Sequence, residues 1–446
     1  SGGACGRCGL LDPVGEGFPI RTGKLARFWA VGHCLLCMSV LLRATGKPYI
    51  RQKRAVSISF ENLSPRPAIL QVIPSLNIGG AERTTIDMAR AIVAAGGRAV
   101  VASSGGRLLG ELLAAGAEHV DMEVHSKNPI IMALNVERLT RLAAREKIDL
   151  IHARSRAPAW SALAAAHRLG LPFVTTYHSK VHEAPRLKVF YNSVMTRGDA
   201  VIANSFFTAE RIARIHAPDP ARIFVVPRGV DTAYLDEDAV EPERVAALRA
   251  RWNVPSDGQA VFLLPARISR WKGQKLAVQA VADLLSSGVT GFRLLLVGDA
   301  QGRNAFVKEI QDLIHEPELA RHVALVGHCD DMAAAYALSD VVLSPSIEAE
   351  PFGRVAVEGQ SMRRPVIVSD AGGQRETVLT PDSAGGIDNA TGLAVEPNDA
   401  KALAAAMRAI LELGPEARRA MGEHGRANAL AHYSVGTMTG ATLDVY

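Results

Sequence analysis

Two cations five positions apart, Arg267 and Lys272, follow the apolar run 261–265, and Gly273 comes directly after them. Guanidinium and ammonium groups converging at a strand end suit a diphosphate, because charge-assisted hydrogen bonds are shorter and stronger than neutral ones. Downstream, Glu350 and Glu358 stand eight positions apart around Pro351, Phe352 and Gly353. Proline suits the start of a helix, and glycine lets a ligand approach closely. The spacing predicts Glu350 in a loop and Glu358 about one and a half turns into a helix, so the two carboxylates address different parts of a ligand. Each accepts two hydrogen bonds in fixed geometry, which suits the hydroxyls of a sugar or a ribose.

A third element, Gly79-Gly80-Ala81-Glu82-Arg83, follows the run 68–73 and opens a helical stretch. Paired glycines let backbone approach a ligand, and the free N–H groups of a helix start attract an anion. The same pair serves a tight turn equally well. The polar residues after two further apolar runs are basic: His152, Arg154 and Arg156, then His178 and Lys180. Arg154, Arg156 and Lys180 together fit an anionic acceptor, such as a keto-sugar acid or a phosphorylated lipid. His152 reads equally as a buried histidine satisfied by backbone.

These residues need elements to bring them together. From Pro67 onward, short apolar runs alternate with glycine-containing loops and helical stretches, which predicts a parallel sheet covered on both faces. A second such series begins after Trp252. The chain divides on this basis into an extension, 1–66; a first Rossmann-like domain, 67–230; a linker with a short helix, 231–258; a second Rossmann-like domain, 259–425; and a segment returning toward the first domain, 426–446. In open α/β sheets, ligands bind beyond the carboxyl ends of the strands, so two facing domains make one cleft.

Composition narrows the function classes. Of 50 Lys/Arg and 45 Asp/Glu, ten and three fall in residues 1–66, leaving 40 against 42 in the remainder. The body is near neutral, which speaks against nucleic-acid binding. Four of five cysteines (Cys5, Cys8, Cys34, Cys37) lie in the extension, leaving Cys329 in a body that needs no disulfide and fits a cytoplasmic setting. The extension also holds the apolar run 28–42, short of the ~20 residues a spanning helix needs. It reads as a disordered or artefactual leader and is assigned no chemistry. Asp236-Glu237-Asp238 has the look of a metal motif but reads as solvated charge in the linker.

Arg267 with Lys272-Gly273, and Glu350-Pro-Phe-Gly353 with Glu358, resemble the donor-site signature of glycosyltransferase family 4, the retaining transferases with the GT-B fold. Gly79-Gly80-Ala81-Glu82, Asp199 to Ala203 with Ser205, Val226-Pro-Arg-Gly-Val-Asp231, Gly298, Gly372-Gly373 with Glu376, and Gly392 match as well, and the resemblance covers 67–446. It implies an α/β GT-B fold with two doubly wound domains facing a cleft. Arg267 and Lys272 would hold the donor diphosphate, Glu350 the sugar and Glu358 the ribose. Gly79 and Gly80 would line the phosphate and acceptor side, with Phe352, Gly353 and Gly298 at the donor and His178 near the reacting sugar. The resemblance also implies a GDP- or UDP-sugar as co-substrate, with neither cofactor nor metal.

The expected acceptor is a glycan or glycolipid, such as the lipopolysaccharide core, met by an enzyme peripheral to the inner face of the cell membrane. Whether Glu350 attacks as a nucleophile stays open; a front-face transfer, in which the leaving phosphate takes the acceptor proton, suits the residues better. Two departures stand out: Arg228 occupies a position where the family often has Asn, and the segment ending at Tyr446 is short for the final crossover helix, which predicts weakened domain docking. The rival readings are an epimerase or phosphorylase on the same scaffold, or a binding module without catalysis. A dehydrogenase is disfavoured because the dinucleotide fingerprint is absent.

Overall fold

The computed structural model describes residues 51–52, 59–60, 66–77, 79–178 and 185–446. The cysteines of the extension, the run 28–42 and Lys180 lie outside them. Fourteen strands form two all-parallel sheets among the described residues. The first sheet comprises β1 (Arg51–Gln52), β2 (Ala68–Val72), β3 (Arg98–Ser103), β4 (Glu118–Asp121), β5 (Leu150–Ala153), β6 (Phe173–Tyr177), β7 (Ala200–Ala203) and β8 (Ile223–Val225). Its spatial order is β1-β8-β7-β6-β5-β2-β3-β4. The second comprises β9 (Ala260–Pro265), β10 (Phe292–Val297), β11 (Val323–Gly327), β12 (Val341–Ser344), β13 (Val366–Ser369) and β14 (Gly392–Val395), ordered β11-β10-β9-β12-β13-β14.

The apolar runs become strands because helices cover both faces, so every position of β2, β6 and β9 is buried. Leu70 and Val72 face one core with Ile151 and Val201, while Ile69 and Ile73 face another with Ile86 and Val101. Each fully buried side chain of this size contributes roughly 1.5–3 kcal/mol. Strand order reverses between β5 and β2 in the first sheet and between β9 and β12 in the second. Those are the crevices where open α/β sheets bind ligands, and the chemistry-bearing motifs follow these strands.

The stretch 231–258 packs as part of the second domain. It holds the helix Pro242–Arg251, and Leu235, Leu248, Trp252 and Val254 bury in that domain's core. Asp236 and Glu237 correct the solvated-charge expectation, which holds for the largely exposed Asp238: Asp236 pairs with Arg363 at 3.0 Å and Arg426 at 2.7 Å, and Asp238 pairs with Arg363 at 2.7 Å. Glu237 meets Arg364 at 2.5 Å. The acids clamp the stretch to the second domain. The helix Val435–Val445 buries Met438, Ala441 and Leu443 against the first domain, so this segment docks through an apolar face, contrary to the weakened docking expected.

Candidate active site

Lys272 ends a short 3₁₀ turn, Arg270–Lys272, beyond β9. Gly273 follows at φ 80°, and a Cβ there would stand 2.0 Å from the Pro345 carbonyl oxygen at the end of β12. Only glycine lets the two loops approach this closely. Their closeness brings Lys272 Nζ within 2.7 Å of Glu350 Oε1, with the side chains 13% and 10% exposed. The Ser346 hydroxyl donates to the same oxygen. Nζ also lies 4.3 Å from the centre of the Trp271 ring, a cation–π contact. The Gly373 N–H donates to the Glu350 carbonyl at 2.7 Å, which fixes the Glu350 backbone.

Gly353 caps the helix Arg354–Ser361 at φ 91°, and a Cβ there would lie 2.2 Å from Gln374 Cβ. Glu358, on that helix, accepts from Tyr336 Oη at 2.7 Å and Arg354 Nε at 2.6 Å. Burial, then the Glu358 charge, pushes the Tyr336 hydroxyl well above its ordinary value, so it stays a donor. Arg267 is exposed and donates to Gln301 Oε1 at 3.2 Å. The Phe352 ring is buried and packs edge-on against Tyr433, with centroids 5.9 Å apart, so only its backbone is left for a ligand. Gly298 is needed where its Cβ would stand 2.0 Å from the Ala266 carbonyl oxygen, which sets the loop after β10 against the loop bearing Arg267.

On the other side of the cleft, a cavity of about 270 Å³ is lined by Ala81, Glu82, Arg154, Arg156, Tyr177 and His178 among others. The helix Gly80–Ala94 starts at its edge. Glu82 folds back over Gly79, whose Cβ would meet its Oε2 at 2.2 Å. Arg156 lies 5.8 Å over the Tyr177 ring. Arg154 departs from expectation in part: it is buried, and its Nε and Nη2 donate to Gln71 Oε1 at 3.0 and 2.6 Å. His152 takes the buried reading over the acceptor-binding one, with side chains and not backbone as its partners. It is wholly buried between Tyr446 Oη, 2.5 Å from Nδ1, and Thr176 Oγ1, 2.7 Å from Nε2. Both ring nitrogens are spent on structure, and burial holds the imidazole well below its ordinary value.

Arg228 is the residue that sequence reasoning missed. Its Nη2 donates to His178 Nδ1 at 2.9 Å, and its Nη1 lies over Gly80, where a Cβ would come within 2.7 Å. Burial, then the nearby Arg354 charge, lowers the guanidinium to about 10. The signal was present as a cation in a position where the family often has Asn, but its meaning needed the approach of the β8 loop to Gly80.

The domains meet beside this site. Ser205 Oγ donates to the Pro351 carbonyl at 2.5 Å, and the N–H groups of Phe206 and Phe207 donate to Glu376 at 2.8 and 2.6 Å. A carboxylate of the second domain thus occupies the amino terminus of the first domain's helix Phe206–His216. These are the motif residues Ser205 and Glu376, and they join the donor loop to the opposite domain.

Residues 78–234 match Glycosyltransferase Family 4, and residues 248–428 match Glycosyl transferases group 1. A D-inositol 3-phosphate glycosyltransferase from Kineococcus radiotolerans is 32% identical over 321 residues, 68% of this chain and 72% of the relative. Among solved structures, a glycosyltransferase from Rickettsia africae is 31% identical with a TM-score of 0.77, covering 86% of this chain and 98% of that one. Anabaena HepE in complex with UDP-glucose, at 23% identity and TM-score 0.70 over 85% of this chain and 100% of its own, shares the fold. The chain belongs to the family 4 glycosyltransferases and is a retaining hexosyltransferase with the GT-B fold.

Proposed function

We propose that this enzyme moves a hexose from a UDP- or GDP-sugar to an anionic glycan or glycolipid acceptor, such as a lipopolysaccharide core. The observation that carries it is the Lys272–Glu350 pair at the β9/β12 crevice, across the cleft from a cavity lined by Arg156 and by His178, which Arg228 contacts from behind. When a donor binds, its diphosphate takes Lys272 with Arg267, and the sugar hydroxyls take Glu350. Glu358 receives the ribose. The two cations and the helix termini neutralise the leaving diphosphate, so the transfer needs neither metal nor cofactor. The acceptor hydroxyl attacks from the side the diphosphate leaves, and a phosphate oxygen takes its proton.

An acidic acceptor is favoured by the basic cavity, and the D-inositol 3-phosphate relatives carry a phosphorylated substrate in their name. No helix among the described residues is long and apolar enough to cross a membrane. A peripheral position at the inner membrane face then follows from the acceptor. The test is release of nucleoside diphosphate with a chelator present, using each nucleotide sugar against inositol phosphate, a keto-sugar-acid glycolipid and neutral sugars. Arg156→Ala should raise the acceptor KM and spare the donor KM. Equal turnover of neutral acceptors, or an unchanged acceptor KM in Arg156→Ala, would sink the anionic assignment.

A further inference from the structure

The imidazole of His178 and the guanidinium of Arg228 form a contact that fixes where the His178 proton sits. Arginine carries five N–H donors and no acceptor. With Arg228 Nη2 2.9 Å from His178 Nδ1, that nitrogen must present its lone pair. A neutral imidazole then holds its one proton on Nε2. Protonating Nδ1 as well would set a cationic ring directly against a guanidinium.

The surroundings hold this arrangement. Gly80 leaves the space that the guanidinium fills, since a Cβ there would stand 2.7 Å from Arg228 Nη1. The next residue, Gly229, is pinched against Ser434 and Val435, where a Cβ would come within 2.6 Å of Val435 Cα. The Arg228 loop therefore has little freedom to withdraw. The charged and titratable groups around His178 are Arg228, Arg154, Arg156, Glu82 and His152, with Arg354 acting through Arg228. One carboxylate among so many cations does not favour an imidazolium. Among the described residues, His178 Nε2 is buried and meets no hydrogen-bond partner, so its proton is left unsatisfied beside the cavity that His178 lines, for a ligand seated there to accept.

We infer that Arg228 is a positioning residue that locks His178 as the neutral Nε2–H tautomer, making His178 a hydrogen-bond donor to the substrate and not a base. The inference rests on the proposed placement of His178 beside the reacting sugar. It assigns a purpose to the Gly80–Arg228 combination: the glycine makes room for the cation, and the cation sets the histidine. A proton-bearing Nε2 cannot take the acceptor's proton, which leaves that proton to the departing phosphate.

The experiment compares wild type, Arg228→Lys and Arg228→Met, with His178→Ala to assign the resonances. Nitrogen-15 NMR of ligand-free protein reads the tautomer, and steady-state kinetics across pH 5.5–8.5 read the consequence. The wild type should show a pyridine-like Nδ1 and a pyrrole-like Nε2 throughout. Lysine, also a donor without an acceptor, should keep that state and most of the kcat. Methionine should give mixed tautomers and an acid limb in the rate profile. Its kcat should fall roughly 10-fold, less than the 10²–10³ expected for losing the donor outright in His178→Ala, with donor KM nearly unchanged. A protonated Nδ1 in the wild type, an unaltered tautomer in Arg228→Met, or an unaltered kcat despite mixed tautomers would each overturn the inference. Absence of transfer from every nucleotide sugar counts against the proposed function instead, because the tautomer is read without substrate.

Discussion

Lys272 Nζ donates to Glu350 Oε1 at 2.7 Å, across 78 positions of sequence that the sheet folds into adjacent strand ends. Each group satisfies the other. In the proposed function, a nucleotide sugar exchanges that pair for phosphate on one side and hydroxyls on the other. On the proposed reading, the pair is a preformed donor site held shut by its own complementary charges.

Removing one partner leaves the other nearly buried and unpaired, which costs roughly 3–5 kcal/mol. Lys272→Ala should therefore unfold at lower urea and lose on the order of 10²–10³ in kcat. Lys272→Met combined with Glu350→Gln should recover most of the stability and none of the activity. Equal losses of stability in the single and double variants would show that the two residues do not act as a pair.

Glu376 predicts a different pattern, because it touches the first domain's helix and lies outside the donor pocket. A carboxylate at a helix amino terminus contributes about 0.3–2 kcal/mol. Glu376→Gln should weaken domain apposition, raising donor KM by roughly 2- to 30-fold while each domain keeps its own unfolding transition. Unchanged kinetics in this variant would mean that the contact does not govern closure.

His152 and His178 set the acid limit of stability. Burial, then the charge of Arg154 for His152 and of Arg228 for His178, holds both imidazoles well below the ordinary 6.5. Below that value the unfolded chain binds protons the folded chain refuses, so stability is complete above pH 6.5 and declines as pH falls through it. The slope reaches about 1.4 kcal/mol per pH unit for each histidine. Urea titrations from pH 8 to 5 should show the decline, and His152→Gln should flatten it while lowering stability at every pH. An unchanged slope in that variant would remove His152 from the account.

Gly353 cannot be replaced cheaply. Its φ of 91° and the 2.2 Å approach of a built Cβ to Gln374 Cβ make Gly353→Ala strained in both backbone and packing. The loop carrying Glu350 should shift, so nucleotide affinity should fall more than the melting temperature does. Wild-type nucleotide binding in Gly353→Ala would contradict the rigid-loop picture.

The residues assigned to the donor side stand out in sequence because their spacing is local. Five positions separate Arg267 from Lys272 just after β9, and eight separate Glu350 from Glu358 in the loop and helix that follow β12. The strands were legible for a related reason: full burial turns them into continuous apolar runs. The acceptor side was less legible because its partners are distant. His152 reads equally as a ligand or a buried histidine until Tyr446, 294 positions away, occupies its Nδ1. Arg154 reads as a free anion binder until Gln71 takes two of its donors. Asp236 and Glu237 read as solvated until the fold brings Arg363, Arg364 and Arg426 to them. Phe352 shows the converse, a motif residue whose ring serves the core beside Tyr433.

Thermal shift with a panel of nucleoside diphosphates and their sugars, on wild type and Lys272→Ala, tests the donor site most directly. Free ligand at about 100 times Kd stabilises the folded state by about 2.7 kcal/mol. The wild type should shift with one nucleotide family, uridine or guanosine, and the shift should vanish in Lys272→Ala. No shift with any nucleotide, or an equal shift in the variant, would contradict a donor diphosphate held at Lys272.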